Sequence, residues 1–220
     1  MAALATAGLS AGSATAAPAV LGLDVSNHQS NINWNAVRAR GAHFAYIKAT
    51  EGTGYVNPDF ASQYNGAYRA GLIRGAYHFA LPNHSGGAAQ ARYFVAHGGS
   101  WRRDGRTLPG ALDIEQNPYG RECYGLTPSA LVSWIASFKN TYHALTSRWP
   151  VIYTDHAFWA TCTGDFRGFA VVDPVWVVDS QTPSGWSFYT FSQYAGSAFP
   201  GDQDIFNGSQ SQLSRLATGA

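Results

Sequence analysis

Charge is scarce in this chain. Asp, Glu, Lys and Arg make up 12% of its 220 residues, about half the usual share. The net charge is +1, so the basic footprint of a nucleic-acid-binding protein is missing. No stretch is long and apolar enough to span a bilayer, which argues against membrane insertion. The two cysteines, Cys123 and Cys162, fit no metal spacing. His78 and His84 lack partners at zinc-site spacing. No Ser lies in a G-x-S-x-G elbow, and Gly52-Thr53-Gly54 does not match a phosphate loop. No metal and no cofactor are therefore expected. Glutamate is the rarest acid, present as Glu51, Glu115 and Glu122. Lysine is rarer still: twelve of the fourteen basic residues are Arg.

Apolar residues are plentiful, at 45% with 14% aromatic, which is ample for one large core. The first 17 residues are small and uncharged and end in Ala14-Thr15-Ala16-Ala17-Pro18. They resemble the tail of a secretory signal with a small-x-small cleavage site, although no basic segment follows Met1. Residues 1–17 are read as a signal remnant or flexible leader, and 18–220 as one domain. Secretion is expected, and with it one Cys123–Cys162 disulfide rather than two free thiols. Such a bridge would stabilise by about 4 kcal/mol in the chain-entropy picture. A monomer is expected.

From residue 20 short apolar runs alternate with helix-like segments. Strands are predicted at 19–25, 43–49, 72–79, 107–115, 150–154, 175–178, 189–194 and 204–206. Helices are predicted at 34–40, 58–70 and 86–97. A long one begins after Thr127, with Leu131, Ile135, Phe138, Tyr142 and Leu145 on one apolar face. Regular βα alternation points to a parallel sheet. The expected fold is α/β, an irregular TIM-like β/α barrel with fewer helices in its last third.

Within the fourth predicted strand lie Asp113 and Glu115. Residues two apart in an extended strand share a face, so this pair stands opposite Leu112 and Ile114, with Cα atoms about 6.5 to 7 Å apart. Like charges that close push their pKa values apart, which suits acid/base work on an acetal. A lone D-x-E is more often a solvated strand end. Here, however, most predicted strands finish in acids or aromatics, as at Asp24, Lys48-Thr50-Glu51, Tyr77, Tyr153, Asp179 and Gln193-Tyr194. In a parallel barrel that end carries the chemistry. Tyr46, Tyr77, Phe79, Tyr153, Trp176 and Tyr194 would line the same mouth, where aromatic faces stack on sugar rings and Gln193 binds hydroxyls.

Six segments in order carry a family resemblance: Gly22-Leu23-Asp24-Val25-Ser26, residues 44–52, Gly75-Ala76-Tyr77-His78-Phe79, Leu112-Asp113-Ile114-Glu115, Gln193-Tyr194 and residues 202–208. The chain resembles the glycoside hydrolase family 25 lysozymes of the Chalaropsis type, which are N-acetylmuramidases. The resemblance runs from about Leu21 to Gly208. It implies cleavage of the β-1,4 bond from N-acetylmuramic acid to N-acetylglucosamine in peptidoglycan glycan strands. It also implies an irregular barrel, a general acid at Glu115 and supporting acids at Asp24, Asp113 and Asp202. The family more often has Asn where this chain has Asp204. Retention is expected, with either the substrate acetamido group or a carboxylate, Asp113 or Asp202, attacking the sugar. The chitinase motif D-x-x-D-x-D-x-E fails, because Leu108 and Ala111 occupy its first two acid positions. A non-catalytic cell-wall-binding barrel is the rival of a different class.

Overall fold

The computed structural model describes residues 19–196 and 200–219. The proposed leader lies outside the described residues. Eight strands close into a barrel in the order β1 (Val20–Val25), β9 (Asp202–Phe206), β8 (Phe191–Ala195), β7 (Val175–Val178), β6 (Val151–Thr154), β5 (Ala111–Asp113), β4 (Ile73–Phe79) and β2 (Ala42–Glu51). The β1–β2 pairing completes the ring. A two-residue strand, β3 (Tyr55–Val56), folds back on β2. Strands β1 to β8 of the ring run parallel, whereas β9 is antiparallel to both β8 and β1. The irregular barrel expected from the sequence is thus present, with mixed rather than all-parallel strands.

Helices α1 (Trp34–Ala39), α2 (Phe60–Arg69), α3 (Gly87–Phe94) and α4 (Pro128–Thr146) follow the predicted segments. The segment predicted as helix to residue 97 leaves α-geometry after Phe94 and continues as one π-turn, Val95–Gly99. Helix α4 opens as predicted, with the Thr127 side chain accepting from Ala130 N and Pro128 in the first turn. Its apolar face ends at Tyr142, because Leu145 is exposed and Lys139 is buried instead. Two helices in the last third escaped the sequence reading. Helix α5 (His156–Thr163) is capped by Asp155 and ended by Gly164 at φ 64°. It buries Phe158, Trp159 and Cys162, so no polar stripe marks it as amphipathic. Helix α6 (Gln210–Thr218) starts with a Ser209/Gln212 capping box. Cys123 and Cys162 are bonded, tying the β5–α4 loop to α5.

The predicted strand 107–115 pairs only over Ala111–Asp113. Pro109 lacks an N–H to donate, and Thr107 makes only an isolated bridge to Arg74. Beyond Asp113 the backbone still alternates, with Ile114 N donating to Tyr153 O at 3.0 Å. Leu112 and Ile114 face the helices, so Asp113 and Glu115 stay together on the inner face.

Aromatic rings fill the barrel below its mouth. Phe44, Tyr46, Trp176, Phe191 and Phe206 pack there. Their size requires glycine opposite them: a Cβ on Gly75 would lie 2.2 Å from the Tyr46 ring, and one on Gly22 2.4 Å from the Phe44 ring. This plug makes the barrel interior a solid floor and leaves its upper end as a cup.

Candidate active site

The cup is a cavity of about 370 Å³ at the C-terminal ends of the parallel strands. That volume lies within the range of small-ligand sites. Asp24 comes from β1, Lys48 from β2, Tyr77 and Phe79 from β4, and Asp113 and Glu115 from β5 and the residues just after it. Tyr153, Trp176, Gln193 and Asp202 complete the wall from β6, β7, β8 and β9. Asp202 begins β9 rather than ending it. Because β9 is antiparallel, its first residue reaches the mouth, and Asp202 pairs directly with Asp24 across the ladder.

Two residues expected at the mouth are placed elsewhere. Tyr46 lies in the floor, stacked on Trp176 with ring centroids 5.0 Å apart. It is fully buried, and its hydroxyl donates to Pro109 O at 2.9 Å. It sits one strand step too deep, where β2 is covered on all sides. Tyr194 is 45% exposed and does not line the cavity. In β8, Phe191 and Gln193 point inward, so strand alternation turns Tyr194 outward.

A chain of hydrogen bonds crosses the cup. Tyr153 Oη donates to Gln193 Oε1 at 2.9 Å, and Gln193 Nε2 donates to Asp24 Oδ2 at 2.7 Å. A longer contact, 3.5 Å, joins Gln193 Nε2 to Asp202 Oδ2. Beneath Asp24 lies Asp204, whose Oδ1 accepts from Trp176 Nε1 at 2.9 Å. Asp24 raises the Asp204 carboxyl, while Asp204 favours the ionised form of Asp24. The sequence reading left Asp204 without a role, although residues 202 and 204 share a strand face. Lys48, Ser26, His28 and Gln29 also line the cavity and had been given no role.

Burial dominates the electrostatics. It pushes Asp24 up to about 7, offset by the Gln193 hydrogen bond and reinforced by Asp202. Burial likewise pushes Glu115 up to about 7; Asp155 adds to the rise and Lys48 opposes it. Asp113 is raised well above the usual carboxylate range by burial and then by Glu115, again opposed by Lys48. Asp204 is raised strongly by burial and by Asp24. Asp113 Oδ1 is buried with no hydrogen-bond partner among the described residues. The Tyr124 hydroxyl fixes the loop by donating to the Glu115 carbonyl at 3.0 Å. The result is a cup where a carboxyl group can hold a proton near neutrality beside a second acid awaiting a donor.

The sequence model of the Glycosyl hydrolases family 25 matches residues 23–201. "Lysozyme M1" of Streptomyces globisporus is 50% identical over 209 residues, 90% of this chain and 71% of its own. "N,O-diacetylmuramidase" of Chalaropsis sp is 44% identical over 210 residues, 91% of this chain and 100% of its own. The solved structure of a muramidase from Acremonium alcalophilum superposes with a TM-score of 0.89 at 51% identity, covering 91% of this chain and 100% of that one.

Proposed function

Because the chain belongs to glycosyl hydrolase family 25 and is a glycoside hydrolase of the lysozyme type, we propose that Glu115 is its general acid and base. The bond cut is the β-1,4 link from N-acetylmuramic acid to N-acetylglucosamine in peptidoglycan, with overall retention. Residues 18–220 act as one catalytic unit. The observation that carries the role assignment is the Asp113–Glu115 pair on one wall of the cup, with Glu115 held up to about 7 by burial.

Glu115 gives its proton to the glycosidic oxygen as the bond from that oxygen to the anomeric carbon breaks. The orphaned Asp113 Oδ1 accepts from the N–H of the substrate acetamido group. That contact turns the acetamido oxygen toward the anomeric carbon, where it attacks and closes a cyclic intermediate. Glu115, now ionised, takes a proton from water, and the hydroxide opens the ring on the face the leaving group left. Asp24 and Asp202, joined through Gln193, provide negative charge for the sugar cation as it develops. Tyr77, Phe79, Tyr153 and Trp176 offer ring surface to the sugar. The disulfide supports secretion, since such bonds persist in oxidising compartments. Among the described residues no helix is long and apolar enough to cross a membrane.

Reducing ends released from purified peptidoglycan, with the products weighed by mass spectrometry, test this reading. Muramic acid at the new reducing ends is expected. Glucosamine there would overturn the bond assignment, and wall binding without release would favour a non-catalytic binder.

A further inference from the structure

Strand β2 contains a bulge at the cavity wall. Lys48 pairs with Tyr77 of β4, and the next pair is Thr50 with His78, so Ala49 is an extra residue. Before the bulge, Phe44 and Tyr46 face inward while Ala45 and Ile47 face the helices. After it the phase is reversed. Thr50 points outward and bonds His78 Nδ1 at 2.7 Å. Glu51, which a regular strand would aim at the helices, comes round to the same side as Lys48. The two meet at 2.5 Å. Bulges of this kind re-aim side chains.

Asn57 holds the bulge. Its Nδ2 donates to Lys48 O at 2.8 Å, and its own N–H donates to Ala49 O at 2.9 Å. Both carbonyls lie where the ladder is broken. Asn57 is in turn bonded to Gln63 Oε1, and Gln63 Nε2 donates to Ser26 O at 2.7 Å, after β1. Lys48 Nζ stands 4.9 Å from the centroid of the Phe79 ring. Tyr119, in the loop after β5, lies beside Glu51.

The charges around Asp113 and Glu115 are one-sided. Asp24 faces them from β1, Tyr77 from β4, Tyr153 from β6 and Asp202 from β9. Tyr124 approaches from the β5–α4 loop and Asp155 from the cap of α5. Of these, Asp24, Asp155 and Asp202 are the groups that can carry charge near neutrality, and all are acidic, since the tyrosines keep their protons. Apart from His28, Lys48 is the one basic side chain that lines the cavity among the described residues.

We propose that Lys48 is the positioning charge of the Asp113–Glu115 pair, so that one of the two carboxyls ionises in the working pH range while the other keeps its proton, and that the Ala49 bulge, clamped by Asn57, brings Glu51 round to face Lys48. Glu51 is the counter-charge that limits the effect of Lys48. This rests on the reading of Asp113 and Glu115 as the acid/base pair.

The test is the pH profile of kcat/KM on purified peptidoglycan for three variants of the whole chain. Lys48→Met removes the cation, so the pair holds its protons longer, and both limbs should move up by about one pH unit. Glu51→Gln leaves Lys48 less neutralised, and the limbs should move down. Lys48→Arg should return the limbs toward those of the unaltered protein. Opposite shifts support the proposal. Loss of activity with unmoved limbs in both Lys48→Met and Glu51→Gln overturns it, as does a shift of the same sign in both. If Lys48→Met does not fold, the downward shift in Glu51→Gln decides alone, and its absence sinks the idea. Glu115→Gln separates the two readings. Normal turnover there defeats the acid/base assignment, whereas lost turnover there with unmoved limbs in the other variants defeats only the role of Lys48.

Discussion

The two lysines of the chain both stand beside acids, Lys139 buried and Lys48 partly buried, and their electrostatic surroundings differ in one respect. Lys139 of α4 meets Asp173, just before β7, at 3.0 Å, with its ammonium 3.9 Å from the Trp149 ring centroid. Lys48 meets Glu51 at the mouth, with Asp113 and Glu115 beyond. Burial pushes Asp173 up to about 7, as it does Glu115 and Asp24. Desolvation therefore does not distinguish a working acid from a structural one. Charge balance does. One lysine answers one acid beside α4, so that pair can remain ionic. In the cup acids outnumber the cation, and protons must take up the difference. A carboxyl that holds a proton near neutrality beside an ionisable neighbour is what acid/base chemistry needs.

The largest effect expected is at the mouth. Glu115→Gln should lower turnover about 10³-fold while wall binding persists; near-normal release of reducing ends by the folded variant would refute its role. Next comes the pair on α4. Lys139→Met leaves Asp173 buried without its partner and should cost about 3–5 kcal/mol in denaturant unfolding. Adding Asp173→Leu should recover most of that loss. A double variant as unstable as the single one would show that the pair is more than a balanced charge.

A smaller effect separates the two sites by pH. The folded-state pKa values of Asp24 and Glu115 lie near 7, above the ordinary 3.8 and 4.5. The folded state then binds more protons than the unfolded chain between about pH 4 and 7. The stability these groups contribute is fully present below about pH 4 and falls as pH rises to 7. Glu115→Gln should accordingly raise Tm at pH 8 by about 2–4 °C and change it little at pH 4. An equal shift at both pH values would contradict the raised pKa. The smallest effect on turnover is in the floor. Tyr46→Phe removes the hydroxyl that donates to Pro109 O and should cost about 1–3 kcal/mol with turnover nearly intact. A large fall in kcat would return Tyr46 to the mouth.

Much of this architecture was legible in the sequence where the signal is local. Period-two alternation through residues 111–115 placed Asp113 and Glu115 on one face, although formal pairing stops at Asp113. Helix α4 was visible from its Thr127-Pro128 start and its apolar stripe. Helix α5 was not, because its outer face carries Ala157, Ala160 and Thr161 rather than charged residues, so it shows little apolar periodicity. Tyr46 and Tyr77 look alike in sequence, since both are inward residues of parallel strands. Only the depth of each in the closed barrel separates floor from wall.

The sequence by itself determined which residues alternate, which helices are capped and which acids stand together, because sterics and hydrogen bonding act over a few residues. Tertiary structure alone decided three further matters. It set the reversed direction of β9, which lifts Asp202 to the mouth opposite Asp24. It set the bulge at Ala49, which turns Glu51 toward Lys48. It also set the burial that lifts Asp24 and Glu115 to about 7. All three depend on strands distant in the chain closing on one another, and no local pattern encodes the depth or direction at which they meet.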